Sequence, residues 1–219
     1  MKTLVIAEHD NQQLKAATLA AITAAEQLAL PIEVAVIGHQ CQSVVEKVRS
    51  IKAVTRVVVA DNAVYQDQLA ENLTLLLRSL ANDYSHMMMA ASTFGKDVLP
   101  RLAGLLQMSM AADIVEIIDA NTFVRPIYAG NALATIRLQD AIHLITVRSS
   151  AFSSTFAPSS KLAEVEICDR IYALEKTKLV KRVESQNERP ELTQARVIIS
   201  GGRGLQTKEN FALIEQLAD

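Results

Sequence analysis

Aromatic residues are scarce in this sequence. Phe, Trp and Tyr together make up 4% of its 219 residues, and tryptophan is absent. A chain of this kind has little with which to stack nucleic acid bases. Its formal net charge of −2 also provides no broad cationic surface for a phosphate backbone. We therefore expect no nucleic acid partner.

Long apolar runs are also missing. No apolar segment approaches the roughly 20 residues that span a bilayer, so we expect no direct membrane insertion. The first residues, Met1–Ala7, enter a strand-like run at once, without the pattern of a secretory or transit segment. These features favour a cytoplasmic, bacterial protein.

Residue patterns typical of catalysis and metal binding are absent as well. The two cysteines, Cys41 and Cys168, lie far apart and outside any C-x-x-C pair, so ordinary thiols are expected. The serines of 149–154 lack a G-x-S-x-G motif. No two histidines are spaced i, i+4, and we predict no metal site from His9, His39, His86 and His143. These patterns therefore predict neither a metal site nor a redox pair of cysteines.

Hydrophobic residues, by contrast, are abundant. They make up 50% of the chain, which suffices for a sizeable core. Continuously apolar runs alternate with segments whose apolar residues recur at helical spacing. This order predicts an α/β fold, with a mainly parallel twisted sheet and helices on both sides. The predicted strands are 3–7, 32–38, 56–60 and 86–91, and the predicted helices are 12–30, 41–51, 65–82 and 97–107.

From Ile114 onward the strand-like segments follow one another with only short gaps. Segments 115–118, 123–128, 132–137 and 142–147 predict an antiparallel or mixed extension that replaces the helices, which we expect to be small and antiparallel. Segments 165–167 and 174–182 predict two late strands. The polar segment Gln186–Pro190 contains proline and lacks large apolar residues. It predicts a linker, placed at 186–194, after a first domain covering 1–185.

The C-terminal part carries the most suggestive pattern. An apolar β-type run, Val197–Ser200, leads into the glycine turn Gly201-Gly-Arg-Gly204 and then into a helix-like segment over 207–217. Glycine lets a ligand approach the backbone, and a helix N-terminus attracts anions. Arg203 adds a planar donor group that suits a pyrophosphate. The turn predicts a dinucleotide phosphate site, although it completes neither a Rossmann nor a Walker A motif.

Two simpler interpretations of this turn stay open. Many turns between a strand and a helix use glycine only for backbone geometry. Arg203 could also be a surface residue that pairs with Glu209 across the turn.

Four separated motifs, in order along the chain, resemble the alpha subunit of electron transfer flavoproteins. They are Ser92–Ala103, Arg125–Ala132, Thr146–Phe152, and Ser200–Leu205 followed by Glu209–Phe211. The resemblance implies a first domain of adenine nucleotide alpha hydrolase-like fold over 1–185 and a linker over 186–194. Residues 195–219 would then be the first βα unit of a truncated FAD-binding domain.

The resemblance also implies electron transport on FAD, by a carrier subunit that has no catalytic residues and is not an enzyme. The electrons would come from flavin dehydrogenases, such as the acyl-CoA dehydrogenases of fatty acid β-oxidation, and pass to a membrane quinone oxidoreductase. The partner subunit would be the flavoprotein's beta subunit, in a heterodimer. Arg203 matches an arginine that contacts FAD. Gly201 and Gly202 match the loop that allows FAD to approach. Most FAD contacts would lie beyond Asp219, so this chain alone is not expected to retain FAD.

One alternative is a stand-alone adenine-nucleotide-binding α/β module. Its site would be the loop Ser92–Asp97, which follows the fourth predicted strand, where open α/β sheets bind ligands. The competing interpretation is a plain turn in which Gly95 has a special dihedral angle and Asp97 caps the helix. A second alternative is a hydrolase or transferase that uses the serines of 149–154 with His143.

Overall fold

A computed structural model describes residues 1–152, 158–174, 176–181, 183, 192, 195 and 197–219. The chain forms two compact units, Met1–Val180 and Lys181–Asp219. Apart from Leu192, the predicted linker 186–194 lies outside the described residues. Within the part of the chain that is described, no helix has both the length and the apolar character needed to cross a membrane.

The described residues of the first unit form ten strands and four α-helices. The strands are β1 (Thr3–Ile6), β2 (Ile32–Gly38), β3 (Val54–Asp61), β4 (His86–Ala90), β5 (Met110–Ile114), β6 (Glu116–Ile117), β7 (Thr122–Ile127), β8 (Ala132–Arg137), β9 (His143–Val147) and β10 (Glu164–Ile167). The helices are α1 (Ala16–Glu26), α2 (Gln42–Arg49), α3 (Ala70–Leu80) and α4 (Thr93–Leu106).

Seven of these strands form one parallel sheet in the order β10-β3-β2-β1-β4-β9-β5. Its central strands are buried on both faces, which explains their continuously apolar sequences. Side chains that alternate along each strand enter two hydrophobic cores. One core lies under α1 and α2, and the other lies under α3 and α4. The predicted α/β class, with helices on both sides of a mainly parallel sheet, is confirmed.

The small antiparallel extension is also confirmed, as a sheet in the order β6-β7-β8. The prediction was wrong in assigning 142–147 to it. Strand β9 instead pairs with β4 and β5 in the large sheet, and all five of its residues are buried. Strand β5 was not predicted, because its sequence, Met110-Ala-Ala-Asp-Ile114, is not continuously apolar.

Several predicted boundaries differ from the structure. The first helix begins at Ala16 rather than at residue 12, because the Asp10 carboxylate accepts hydrogen bonds from the Gln12 and Gln13 amides in a preceding turn. The third begins at Ala70 rather than at residue 65. The late strand predicted at 174–182 is wrong: its described residues, 174 and 176–181, form no strand.

The second unit is described over 197–219 together with a few isolated residues. Residues Arg203–Leu205 and Glu209–Phe211 form single 3₁₀ turns, and the helix α5 spans Ala212–Ala218. The predicted β-type run Val197–Ser200 is not a strand in the structure. A strand needs a neighbour to pair with, and the described residues of this unit supply none.

Candidate functional site

The predicted cofactor turn begins with extended backbone at Gly202, which has φ −131° and ψ −154°. The amide of Leu205 donates to the carbonyl of Gly202 at 3.0 Å, and this closes a single 3₁₀ turn that carries Arg203. The Asn210 side chain donates to the Leu205 carbonyl at 2.6 Å. These contacts fix a short turn directly before the helical C-terminal segment.

The glycines of this turn have different surroundings. A Cβ atom added at Gly201 would lie 2.3 Å from Leu205 Cδ1 and 3.3 Å from Ile214 Cδ1, so this glycine allows close packing inside the turn. At Gly202 and Gly204 an added Cβ would meet no atom within 4 Å. The backbone at these two positions is therefore open to an approaching molecule.

Arg203 is exposed, and within the described residues no ion pair joins it to Glu209. The Glu209 carboxylate instead accepts hydrogen bonds from its own backbone amide and from the Thr207 hydroxyl, which lower its pKa. The structure therefore does not show the simple surface pair between Arg203 and Glu209. No described residue holds the guanidinium group, as the predicted phosphate site requires.

The alternative nucleotide site lies at the carboxyl end of the large sheet, where α4 begins. The structure corrects the predicted cap, because Ser92 rather than Asp97 occupies the N-cap position. Ser92 Oγ accepts a hydrogen bond from the Gly95 amide at 3.0 Å and donates one to Glu8 Oε2 at 2.5 Å. A carboxylate of the chain itself thus already lies at this helix N-terminus, the place where a nucleotide phosphate would bind.

Gly95 has a steric role. A Cβ atom at this position would lie 1.9 Å from the Ala90 carbonyl oxygen, so only glycine lets α4 pack this closely on the end of β4. The prediction of a special dihedral angle was wrong, because Gly95 lies within the helix and its φ is not positive.

The N-terminus of α2 is filled in a similar way. Asp61, at the end of β3, accepts hydrogen bonds from the Gln40 amide at 2.7 Å and the Cys41 amide at 3.1 Å. Burial and the neighbouring Asp61 carboxylate raise the pKa of the Cys41 thiol to about 12. Cys41 therefore stays protonated, in agreement with its interpretation as an ordinary thiol.

A buried polar network occupies the space beside these two helices. His9 Nδ1 accepts hydrogen bonds from the Asn11 amide at 3.1 Å and the Gln68 side chain at 2.9 Å, and burial lowers the pKa of His9 to about 4. The Asn11 side chain in turn accepts from the His39 amide at 3.0 Å. A Cβ atom at Gly38 would lie 2.2 Å from Asn11 Oδ1, so glycine is needed here too.

Two histidines that the sequence treated as isolated meet at the amino end of the sheet. His86 and His143 are paired across β4 and β9. His86 Nε2 lies 2.7 Å, and His143 Nδ1 lies 3.1 Å, from the carbonyl oxygen of Ala120. Because a carbonyl oxygen can only accept, both nitrogens donate to it. Only the register between β4 and β9 could have revealed this pair, and the sequence does not show that register.

The hydrolase alternative is not supported by the geometry. His143 begins β9, whereas Ser149 follows the end of that strand. The two residues therefore lie at opposite ends of β9, about 20 Å apart at the usual rise per residue of a strand. Ser153 and Ser154 lie outside the described residues. Among the residues that are described, no three His, Cys, Asp or Glu side chains converge as a metal site would require.

Comparison with known proteins gives a consistent result. A family model described as "Electron transfer flavoprotein domain" matches residues 3–170. Electron transfer flavoprotein subunit alpha of Pseudomonas aeruginosa is 42% identical over 219 residues, covering 100% of this chain and 71% of the relative. The mitochondrial subunit alpha of Dictyostelium discoideum is 41% identical over 231 residues, covering 99% of this chain and 65% of the relative.

A third relative, subunit alpha of Paracoccus denitrificans, is 37% identical over 230 residues, covering 100% of this chain and 70% of its own length. The fold, with its large parallel sheet and small antiparallel sheet, is thus that of an electron transfer flavoprotein domain. More specifically, the chain belongs to the alpha subunits of the electron transfer flavoprotein family. It spans roughly two thirds of the length of these relatives, between 65% and 71%.

Proposed function

We propose that this chain carries electrons as part of a flavoprotein whose cofactor is FAD. The observation that carries the proposal is the match to alpha subunits along the whole chain, including the glycine turn of the second unit. In such a carrier the flavin performs the redox chemistry, and the protein binds and orients it. The chain needs no acid–base or nucleophilic group of its own for this task.

Gly201, Gly202 and Arg203 are the proposed FAD contacts in this chain. The open backbone at Gly202 and the guanidinium of Arg203, which pairs with none of the described residues, support this assignment, because a diphosphate needs both close approach and positive charge. We further propose that residues 195–219 open the FAD-binding domain, after a first domain over 1–185 and a linker over 186–194. Most FAD contacts would then belong to the portion of the relatives that this chain does not span.

The proposed partners follow from the same family membership. They are a beta subunit in a heterodimer, flavin dehydrogenases such as acyl-CoA dehydrogenases as donors, and a membrane quinone oxidoreductase as acceptor. A cytoplasmic location in a bacterium is part of the same proposal. A stand-alone nucleotide-binding module fits the structure less well, because Glu8 occupies the N-terminus of α4 near Thr93.

The variant Arg203→Ala tests the cofactor assignment. In an alpha subunit extended to the length of its relatives and assembled with its beta subunit, we expect FAD affinity to fall by about 1–3 kcal/mol, as for a lost charge-assisted hydrogen bond. Titration of the apoprotein with FAD, followed by flavin fluorescence, measures this change. Lys208→Ala, which removes an exposed charge from the same unit, is the matched control. An unchanged dissociation constant for Arg203→Ala would exclude Arg203 as a ligand.

A simpler measurement tests where the flavin contacts lie. We expect the 219-residue chain, purified alone, to show no flavin absorbance. A yellow preparation with stoichiometric FAD would contradict the proposal that most of the contacts lie elsewhere.

A further inference from the structure

The segment that follows strand β10 lies against α3 as an irregular strap. This strap, residues 169–174, forms neither helix nor strand, and none of its residues is buried. The chain enters it from Cys168, whose amide still donates to the Val59 carbonyl of β3 at 2.7 Å. Beyond Cys168, no main-chain group of the strap bonds to another main-chain group among the described residues. The strap therefore lies outside the hydrogen-bond ladders that hold the sheet and the helices together.

One buried hydroxyl group holds the middle of the strap. Tyr65, in a 3₁₀ turn ahead of α3, is fully buried. Its hydroxyl accepts a hydrogen bond from the Tyr172 amide at 3.0 Å and donates one to the Arg170 carbonyl at 3.2 Å. A single side chain thus satisfies two main-chain groups of the strap that have no partner in a ladder.

Two further side chains join the strap to α3. Asn72, which is buried, accepts a hydrogen bond at Oδ1 from the Leu174 amide at 2.8 Å. The Arg170 guanidinium donates to the Ser79 carbonyl at 2.5 Å, in the last turn of α3, where carbonyl groups lack helical partners. Within the part of the chain that is described, the side chains of Tyr65, Asn72 and Arg170 make every hydrogen bond between the strap and this region.

Such an attachment is weak compared with the core beneath it. Each hydrogen bond adds little net stability, because the released groups can bond to water instead. Tyr172 also packs against the core under α3 and α4, but its side chain is only partly buried. Segments with few buried apolar contacts open locally while the rest of a domain stays folded. The strap is therefore expected to detach without unfolding of the sheet.

We propose that residues 169–174 are a releasable strap, which sets the length of free chain between the sheet of the first unit and the second unit. The first unit ends at Val180 and the second begins at Lys181. Detachment of the strap adds about 20 Å of extended chain to this connection. Linker length sets the effective concentration of a tethered domain, so release changes how often the second unit meets a molecule bound to the first. The inference does not depend on which cofactor the second unit binds.

Amide hydrogen exchange of the 219-residue chain, resolved by NMR, tests the release. We expect the amides of Tyr172 and Leu174 to be protected relative to unstructured peptide, yet to exchange at least about tenfold faster than the amide of Val34 in the buried strand β2. An unprotected Tyr172 amide would show that the strap is not attached. Exchange as slow as that of Val34 would show that it leaves only on global unfolding. Either result would overturn the proposal.

Two tyrosine variants separate local release from global unfolding. Tyr65→Phe removes two hydrogen bonds from the strap and should accelerate exchange of the Tyr172 amide by at least about fivefold. Tyr84→Phe is the matched control, because the Tyr84 hydroxyl donates to Glu33 Oε2 at 2.6 Å and does not bond to the strap. It should accelerate exchange at Val34 but not at Tyr172, since the Tyr84 contact persists when only the strap is released. Equal acceleration at both amides in Tyr84→Phe would contradict local release.

Trypsin provides an independent measurement. Arg170 lies within the strap, whereas Lys178 is exposed beyond it. A protease binds its substrate as extended chain, so cleavage after Arg170 requires detachment and follows the population of the released state. We expect slower cleavage after Arg170 than after Lys178, with an increase of at least about fivefold after Arg170 in Tyr65→Phe and none in Tyr84→Phe. No increase in Tyr65→Phe, or the same increase in both variants, would overturn the proposal.

Discussion

The junction between β4 and α4 and the turn around Arg203 share a sequence pattern of small residues and one cation before a helical segment. Their structures differ. At the first junction Ser92 caps the helix, Glu8 supplies a carboxylate, and Gly95 is pressed against the Ala90 carbonyl. At the second, no described atom lies where a Cβ would be added at Gly202 or Gly204, and Arg203 has no partner among the residues that the structure describes.

This difference shows that a glycine before a helix has at least two physical uses. At Gly95 it removes a side chain so that the protein can pack against itself. At Gly202 it leaves backbone uncovered, as a ligand that binds through phosphates would require. Sequence spacing alone does not separate these uses, because both satisfy the same local pattern. The surroundings of each missing Cβ atom do separate them.

The strongest test of the closed junction is Gly95→Ala. The new methyl group would collide with a backbone carbonyl that cannot rotate away, so we expect a loss of about 3 kcal/mol in the free energy of unfolding. Gly104→Ala is the control in the same helix, where an added Cβ meets no atom within 4 Å. This control should stabilise the protein by up to about 1 kcal/mol. Urea unfolding followed by circular dichroism measures both, and equal stability of the two variants would contradict the packing argument.

The buried network beside that junction predicts a pH dependence. Burial lowers the pKa of His9 from 6.5 to about 4, so the folded state favours the neutral ring. The contribution of His9 to the free energy of unfolding is complete above pH 6.5 and is lost as the pH falls toward 4. The slope is about 1.4 kcal/mol per pH unit for this one group.

Unfolding free energies between pH 7 and pH 4.5 measure this slope. His9→Asn should remove the part of the pH slope that is due to His9. A smaller slope should remain, because burial also lowers the pKa of His86. An identical slope in His9→Asn and the wild type would show that His9 does not titrate as described.

The fold was largely predictable because the apolar residues of a strand indicate how deeply it is buried. Continuously apolar runs such as Ile32–Gly38 occur where helices cover both faces of a sheet, and this strand was predicted with its observed bounds. Strand β9 was misplaced, because an apolar run does not reveal which strands lie beside it. The predicted start of a helix was wrong where a side chain, such as that of Asp10, stabilises a turn before the helix. The spacing of apolar residues does not indicate such a turn.

The candidate sites were less predictable, for a related reason. Gly201, Gly202 and Arg203 are proposed from local sequence, since a glycine turn is a contiguous feature, and their role as FAD contacts stays a prediction. The pairing of His86 with His143, and that of Arg148 with Asp113, depend on strands that are distant in sequence. Such groupings become visible only when the register of the sheet is known.

Removing the cap at the closed junction should have a moderate effect. In Ser92→Ala the Gly95 amide loses its acceptor and the Glu8 carboxylate loses its donor. We expect a loss of about 1 kcal/mol in the free energy of unfolding, which urea unfolding detects. Ser92→Asp restores an acceptor but places a second carboxylate beside Glu8, so it should not recover the stability. Full recovery in Ser92→Asp would argue against the contact with Glu8.

The smallest effect on stability is expected at the open turn. Gly202→Ala adds a methyl group where nothing lies within 4 Å, and the extended backbone at this position suits alanine. The free energy of unfolding should change by less than about 0.5 kcal/mol. If the turn admits a cofactor, the same variant should lower FAD affinity in the assembled flavoprotein. Destabilisation by Gly202→Ala would indicate that the turn is packed rather than open.

The carbonyl of Ala120 has a mechanical consequence. Ala120 lies in the turn between β6 and β7, and its one oxygen is held by rings from β4 and β9, two adjacent inner strands of the large sheet. The small sheet therefore meets the large sheet at two places: at β4 and β9 through this carbonyl, and at the edge strand β5, which leads directly into β6. The first of these connections depends on two hydrogen bonds to a single oxygen atom, so a change in either ring alters how the small sheet is held.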